Sequence, residues 1–229
     1  MSNERTAQGT RRTEAMRPDL ELLAGMTPRG SRVLDLGCGD GALLEHLIHE
    51  RGCDGQGVEI SSDGFHACID RGVPVMRADI DDGLADFEDD SFDIVILAQT
   101  LQATRRPAFV LAEMFRIGRR AIVSFPNFGH WSARSRILFR GLMPVSRALP
   151  YKWYDTPNIH LCTIHDFEGL VGEVGLRPLR FVPLNPRGGE AGSIARRRPN
   201  MFASGAVYLL EPVDLEQRER RSESRVAAA

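Results

Sequence analysis

The sequence predicts a doubly wound α/β fold: a mostly parallel, seven-stranded sheet flanked by helices, with an antiparallel strand pair at its C-terminal end. Two observations predict it. Five apolar, β-branched runs recur with helical patterns between them: RVLDLG (32–37), GQGVEIS (55–61), VPVMRADI (73–80), SFDIVILAQ (91–99) and RRAIVSFP (119–126). Runs this apolar suit strands covered on both faces, as in a parallel sheet with helical crossovers. The rhythm changes after Pro126. Two more strand patterns, LRPLRFVPL (176–184) and MFASGAVYLLEP (201–212), then follow one another without an obvious crossover helix, which makes them an antiparallel pair.

The helices between the runs have readable ends. In ALLEHLIHERG, Leu43, Leu44, Leu47 and Ile48 share one face, and Gly52 is positioned as a C-cap. PAFVLAEMFRIG begins with Pro107, suited to a helix N-terminus, and ends at Gly118. DFEGLVGEVGL reads as a helix before the sixth strand, whereas NPRGGEAGSIARRRPN reads as a loop. Residues 127–163 are rich in aromatics, glycine and proline and show no clean strand. The domain is expected to span 16–212, with 127–163 as a loop-rich insert on the ligand side. Residues 1–15 are an expected flexible extension and 213–229 an expected flexible tail.

Composition narrows the function. With 29 basic and 31 acidic residues the net charge is -2, so no polycationic surface for nucleic acid is implied. Cys38, Cys53, Cys68 and Cys162 form no CxxC pair, the usage of a reduced cytoplasmic protein. No apolar stretch has the length of a membrane span, and the polar start lacks a signal-peptide core.

The chemistry concentrates in VLDLGCGDGALLE (33–45). Gly37, Gly39 and Gly41, with Cys38 between them, let the backbone turn sharply and approach a ligand at a helix N-terminus. The same letters satisfy the dinucleotide pattern G-x-G-x-x-A, and a glycine turn without a ligand is the plainest alternative. Three acids sharpen the choice. Asp35 ends the first strand before the turn; Glu59, followed by Ile60, ends the second, where a carboxylate can accept ribose hydroxyl protons; Asp79, followed by Ile80, ends the third, within reach of an adenine amino group. A pyrophosphate would sit badly beside Asp35, whereas the ammonium and sulfonium of S-adenosylmethionine are cations that an acid favours. DLGCGDG, VEIS and ADI together resemble the class I S-adenosylmethionine-dependent methyltransferases, a Rossmann-like fold. That resemblance implies that Asp35, Gly37 and Gly39 hold the methionine end, Glu59 the ribose and Asp79 with Ile80 the adenine, with Gln99 and Thr100 beneath the cofactor.

No acceptor signature accompanies the loop. FPNFGHW (125–131) is not the tetrapeptide of amino-group DNA methyltransferases. His130, His160 and His165 suit bases, or metal ligands with Cys162 in HLCTIH, but that spacing lacks a second pair and hydrogen-bonded loop residues is the plainer reading. Tyr151, Trp153 and Tyr154 suit an acceptor pocket, a core cover or a protein interface. Charge favours the interface: from Met114 to Tyr154 there are eight bases and no acid, while 79–93 holds eight acids and no base. Such blocks are ordinarily solvated faces, or pair with each other. Asn127, His130, Trp131, Arg134, Trp153 and Tyr154 form the expected partner or acceptor surface.

Longer segments are more distinctive than the glycine loop. MRPDLELLAG, QTLQATRRPAFVLAEMFRIGRRAIVSFPNFGHW, GLMPVSRALPYKWYDTPNIHLCTIHDF and RPNMFASGAVYLL closely resemble the MetW family of methionine biosynthesis, from about Met16 to about Leu210. The resemblance implies a methyltransferase-like fold that accompanies homoserine O-acetyltransferase, with S-adenosylmethionine or S-adenosylhomocysteine as cofactor. Two functions stay open: a partner or activator of that acyltransferase, or an active methyltransferase on a small molecule.

Overall fold

The computed structural model describes residues 16–213; the expected N-terminal extension and nearly all of the expected tail lie outside the described residues. In chain order the elements are α1 (Pro18–Met26), β1 (Arg32–Leu36), α2 (Ala42–Arg51), β2 (Asp54–Glu59), α3 (Ser62–Arg71), β3 (Val75–Arg77), β4 (Phe92–Ala98), α4 (Pro107–Ile117) and β5 (Gly118–Pro126). Then come α5 (Trp131–Arg140), α6 (Ile164–Glu173), β6 (Leu176–Leu184), α7 (Ser193–Arg197), α8 (Pro199–Phe202) and β7 (Gly205–Pro212).

The strands form one seven-stranded sheet in the order β3-β2-β1-β4-β5-β7-β6. Pairings among β1 to β5 are parallel, and β7 runs antiparallel to both β5 and β6. This is the expected doubly wound sheet with its antiparallel end. β6 lies at the edge, which tolerates Pro178 and Pro183 because proline cannot donate to a further ladder.

Alternation along the central strands builds two cores. Leu34, Leu36, Val95, Leu97, Val123 and Phe125 pack against α4 and α6. Val33, Ile94, Ile96 and Ile122 face the other way, against α1 and α2. Both faces are covered, so the strands read as continuous apolar runs. Helix ends follow the chain chemistry. Gly52 caps α2 in the left-handed region (φ 65°), Pro107 opens α4, and Thr163 and Asp166 form a reciprocal capping box that starts α6.

Three expectations need correction and one is refined. β3 covers only 75–77 of the expected 73–80, so Asp79 lies beyond the strand and caps a 3-10 turn at Ile80–Asp82. Residues 201–202, at the head of the expected last strand, are helical, and the expected loop between β6 and β7 contains α7 and begins α8. The insert is not loop throughout, because it holds α5. Its arginines and serines hid a helix that His130 caps and Gly141 (φ 62°) ends. No helix among the described residues is long and apolar enough to cross a membrane.

Candidate functional site

From β1 the chain winds outward to β2 and β3, then returns to place β4 on the other side of β1. The strand order reverses there, so a crevice opens at the carboxyl ends of β1 and β4, the usual ligand position in such sheets. The glycine loop fills its floor. Gly37, Gly39 and Gly41 all have left-handed φ, at 71°, 59° and 76°. A Cβ on Gly37 would come within 2.7 Å of the Thr100 side chain, just past β4, so the loop and the β4 end close on each other only because this residue is bare.

Asp35 precedes this loop, 2% exposed, with no hydrogen-bond partner for Oδ1 among the described residues. Burial, and secondarily the Glu59 carboxylate, push it up to about 7. Glu59 ends β2 and is itself buried; its two oxygens accept the N–H groups of Gly39 (2.8 Å) and Ser61 (2.8 Å). It therefore ties the glycine loop to the start of α3. Cys38 is buried beside Cys68, Sγ to Sγ 3.6 Å, and burial raises both thiols.

Next to the loop lies a cleft of about 220 Å³ walled by Gly37, Ile60, Asp79, Ile80, Thr100 and Ile159. Five of the expected cofactor residues thus share one wall. Asp79 is more committed than expected: one oxygen accepts Asp81 N–H (2.9 Å) and the other meets Arg105 (2.7 Å). Gln99 faces a different space. It has φ 56°, a strained value for a non-glycine residue, held by Ser124, whose carbonyl and hydroxyl oxygens both accept its N–H. With Gln102 it walls a second cavity of about 420 Å³, to which the insert contributes Arg147, Tyr151 and Asn158, and the loop after β6 contributes Arg187.

The expected partner or acceptor residues divide. Asn127 is buried, not superficial: its Nδ2 donates to Asn200 O (3.1 Å) and Ala203 O (2.8 Å), and its Oδ1 accepts from Gly129 (2.9 Å) and Ile164 (3.3 Å). It joins the end of β5 to α8 and α6. His130 is half-buried as the α5 N-cap, bonded to Ser132, and burial lowers its pKa. Arg134 reaches back to Gly129 O. Trp131, Trp153 and Tyr154 are exposed, the last two edge to face at 5.6 Å.

Among the described residues no group of three or more His, Cys, Asp and Glu is arranged to hold a metal ion. Sequence reasoning missed Gln102, Arg147 and Arg187, which the fold gathers from three separate segments and no local spacing betrays.

Residues 17–210 match the model of the family described as methionine biosynthesis protein MetW. The bifunctional methionine biosynthesis protein MetXA/MetW of Rhodopirellula baltica is 38% identical over 167 residues, covering 69% of this chain but 27% of that protein, so the chain spans about a quarter of its relative's length. Among solved structures, an S-adenosylmethionine-dependent methyltransferase from Mesorhizobium loti aligns with a TM-score of 0.62 at 19% identity, covering 83% of this chain and 96% of that one. Another from Thermotoga maritima, described as a possible histamine N-methyltransferase, aligns with a TM-score of 0.59 at 18% identity, over 85% and 87% of the two chains. At these identities the likeness is one of fold, that of the class I methyltransferases. By the family match over most of its length, the chain belongs to the MetW family of methionine biosynthesis proteins.

Proposed function

We propose that this protein binds S-adenosylmethionine or S-adenosylhomocysteine in the β1–β4 crevice and serves homoserine O-acetyltransferase as an accessory subunit in the cytoplasm. The cofactor half is supported by Asp35. A buried carboxylate with an unpartnered oxygen is costly unless a cation or donor meets it, and the methionine end of the cofactor brings an ammonium. Gly39, with open space where a Cβ would stand, leaves that end room, Glu59 keeps lone pairs for ribose hydroxyls, and Ile60 and Ile80 offer apolar walls to an adenine. When bound, S-adenosylmethionine supplies an electrophilic methyl group; this chain's residues hold, orient and shield it. Four free cysteines, three of them buried, support a reducing compartment.

The observation that carries the partner half is the exposed apolar run at the end of α5. Leu138 and Phe139 are 76% and 81% exposed, and Ile137, Leu142, Met143 and Val145 are exposed beside them. Leaving so many apolar side chains in water within nine residues is characteristic of an interaction surface. Arg134, Arg136 and Arg140 flank the run, which suits a partner with an acidic rim. The sequence resemblance implies the partner's identity, and the Rhodopirellula relative, a bifunctional methionine biosynthesis protein that joins MetXA and MetW in one chain, supports a partner in the same biosynthesis.

The second reading, an active small-molecule methyltransferase, is favoured by the cavity that begins at Gln99, beside the crevice. One experiment separates them. Homoserine acetylation by the purified acyltransferase is followed with and without this protein, and the two are run together on a sizing column. A shared peak and a raised rate, both lost in Leu138→Asp/Phe139→Asp while its circular dichroism stays normal, support the accessory role. Separate peaks and an unchanged rate would turn the weight to methyl transfer.

A further inference from the structure

We infer that the larger cavity, walled by Gln99, Gln102, Arg147, Tyr151 and Arg187, is a binding site for a small carboxylic acid bearing a hydrogen-bond donor, an amino or hydroxy acid. This goes beyond the cofactor and docking readings, because the wall is built from elements that take no part in the glycine loop. Its volume of about 420 Å³ lies within the roughly 300–1,000 Å³ of small-molecule sites.

The cavity's charge selects an anion. Arg17 also lines it but is neutralised by Asp19, to which it donates twice (2.7 and 3.1 Å). Arg147 and Arg187 form no ion pair with any described acid, so two uncompensated guanidinium groups remain at one wall. Both are held by their loops. Asn185 Oδ1 accepts the Arg187 N–H (2.7 Å), and a Ser146–Leu149 turn, closed by reciprocal backbone bonds, carries Arg147. Guanidinium forks match a carboxylate, and they would match a phosphate as well.

Gln102 decides between them. Gln102 lines the cavity and is 6% exposed, and its Oε1 has no partner among the described residues. Its Nε2 donates to the Gln99 carbonyl, which fixes the amide with the oxygen as the open group. A buried acceptor in this state calls for a donor from the ligand, an ammonium or a hydroxyl. A doubly ionised phosphomonoester answers the arginines but brings no donor to this oxygen. Gln102 is also anchored: its carbonyl accepts Ile159 N–H (2.8 Å) and His160 N–H (2.9 Å), so the insert and this side chain move together.

The test is titration calorimetry of the full chain with the standard L-amino acids, L-homoserine and lactate, each with and without saturating S-adenosylhomocysteine. At least one should bind with and without the nucleoside. Its carboxamide derivative should bind at least about tenfold more weakly, as should the acid itself to Arg147→Ala and Arg187→Ala. Gln102→Leu should weaken it too. Absence of binding at millimolar ligand would overturn the inference. So would equal affinity for the carboxamide, equal affinity at pH 8 for methyl phosphate, or indifference to both arginine substitutions. Failure of S-adenosylhomocysteine to bind would instead count against the cofactor reading alone, because the acids are also titrated in its absence.

Discussion

Asp35 shows at one residue how a ligand site opposes stability. Its ordinary carboxyl value of 3.8 rises to about 7 in the fold, mainly through burial. The folded state therefore holds the proton more tightly than the unfolded state between those values. Stability attributable to Asp35 falls as pH rises through that window, and the loss is complete above it. The full penalty is roughly 4 kcal/mol. Asp35→Asn should accordingly melt several degrees above the parent at pH 8, and that advantage should shrink by pH 5 and vanish near pH 3.8. Differential scanning calorimetry of both proteins across that range checks it; an equal or growing gap at low pH would refute the assignment. On the proposed reading, in which the acid meets the cofactor's ammonium, the same substitution should weaken S-adenosylhomocysteine binding. Gln99 is a second residue of this kind, holding a left-handed backbone at the seam between crevice and cavity.

At the scale of elements, the insert is secured by a few buried polar groups rather than by apolar packing. Asn127 links the end of β5 to α6 and α8, and Gln102 holds residues 159–160 from the other side. Replacing Asn127 with Ala strands the Ala203 and Asn200 carbonyls and the Gly129 and Ile164 N–H groups together. Asn127→Ala should therefore cost about 2–4 kcal/mol, read from chemical denaturation. A loss below about 0.5 kcal/mol would mean that water replaces the amide without penalty. α5 contrasts with this. Its buried face is thin, with Ala133 its one buried residue, while its C-terminal apolar side chains stay in solvent. The helix is built to present a surface more than to bury one.

At the scale of the molecule, the sheet places the two proposed sites at one rim. The β1–β4 crevice and the arginine-walled cavity both open at the carboxyl ends of the strands, with Gln99 and Thr100 as neighbours between them. Whole-molecule linkage follows. S-adenosylhomocysteine at a hundredfold excess over Kd should stabilise the fold by about 2.7 kcal/mol. That should raise the parent's Tm by roughly 5–10 °C and Asp35→Asn by much less. A Tm unmoved by the ligand in the parent would count against the cofactor reading. The acidic run after β3 is largely spent inside the fold, Asp79 and Asp81 on Arg105 and Asp89 on Arg116. Most of the basic block finds no such partner in the acidic run, consistent with a surface kept for another molecule.

The amino-acid sequence by itself determined the order of strands and helices, the glycine turn between β1 and α2, and the acids at the first two strand ends. Each is a local matter: apolar runs suit strands covered on both faces, glycine permits positive φ, and a carboxylate at a strand end sits at the ligand rim wherever the sheet closes. Family membership was legible too, because TLQAT, SFPNFGHW and WYDTPNIHLCT are long and distinctive. Tertiary structure alone decided that Asn127 is an internal tie and not a surface group, and that Asp79 is committed to Arg105. It also decided that Gln102, Arg147 and Arg187 meet. Those outcomes depend on which segments cross above the sheet, and burial and partners separated by tens of residues leave no periodic trace in the chain.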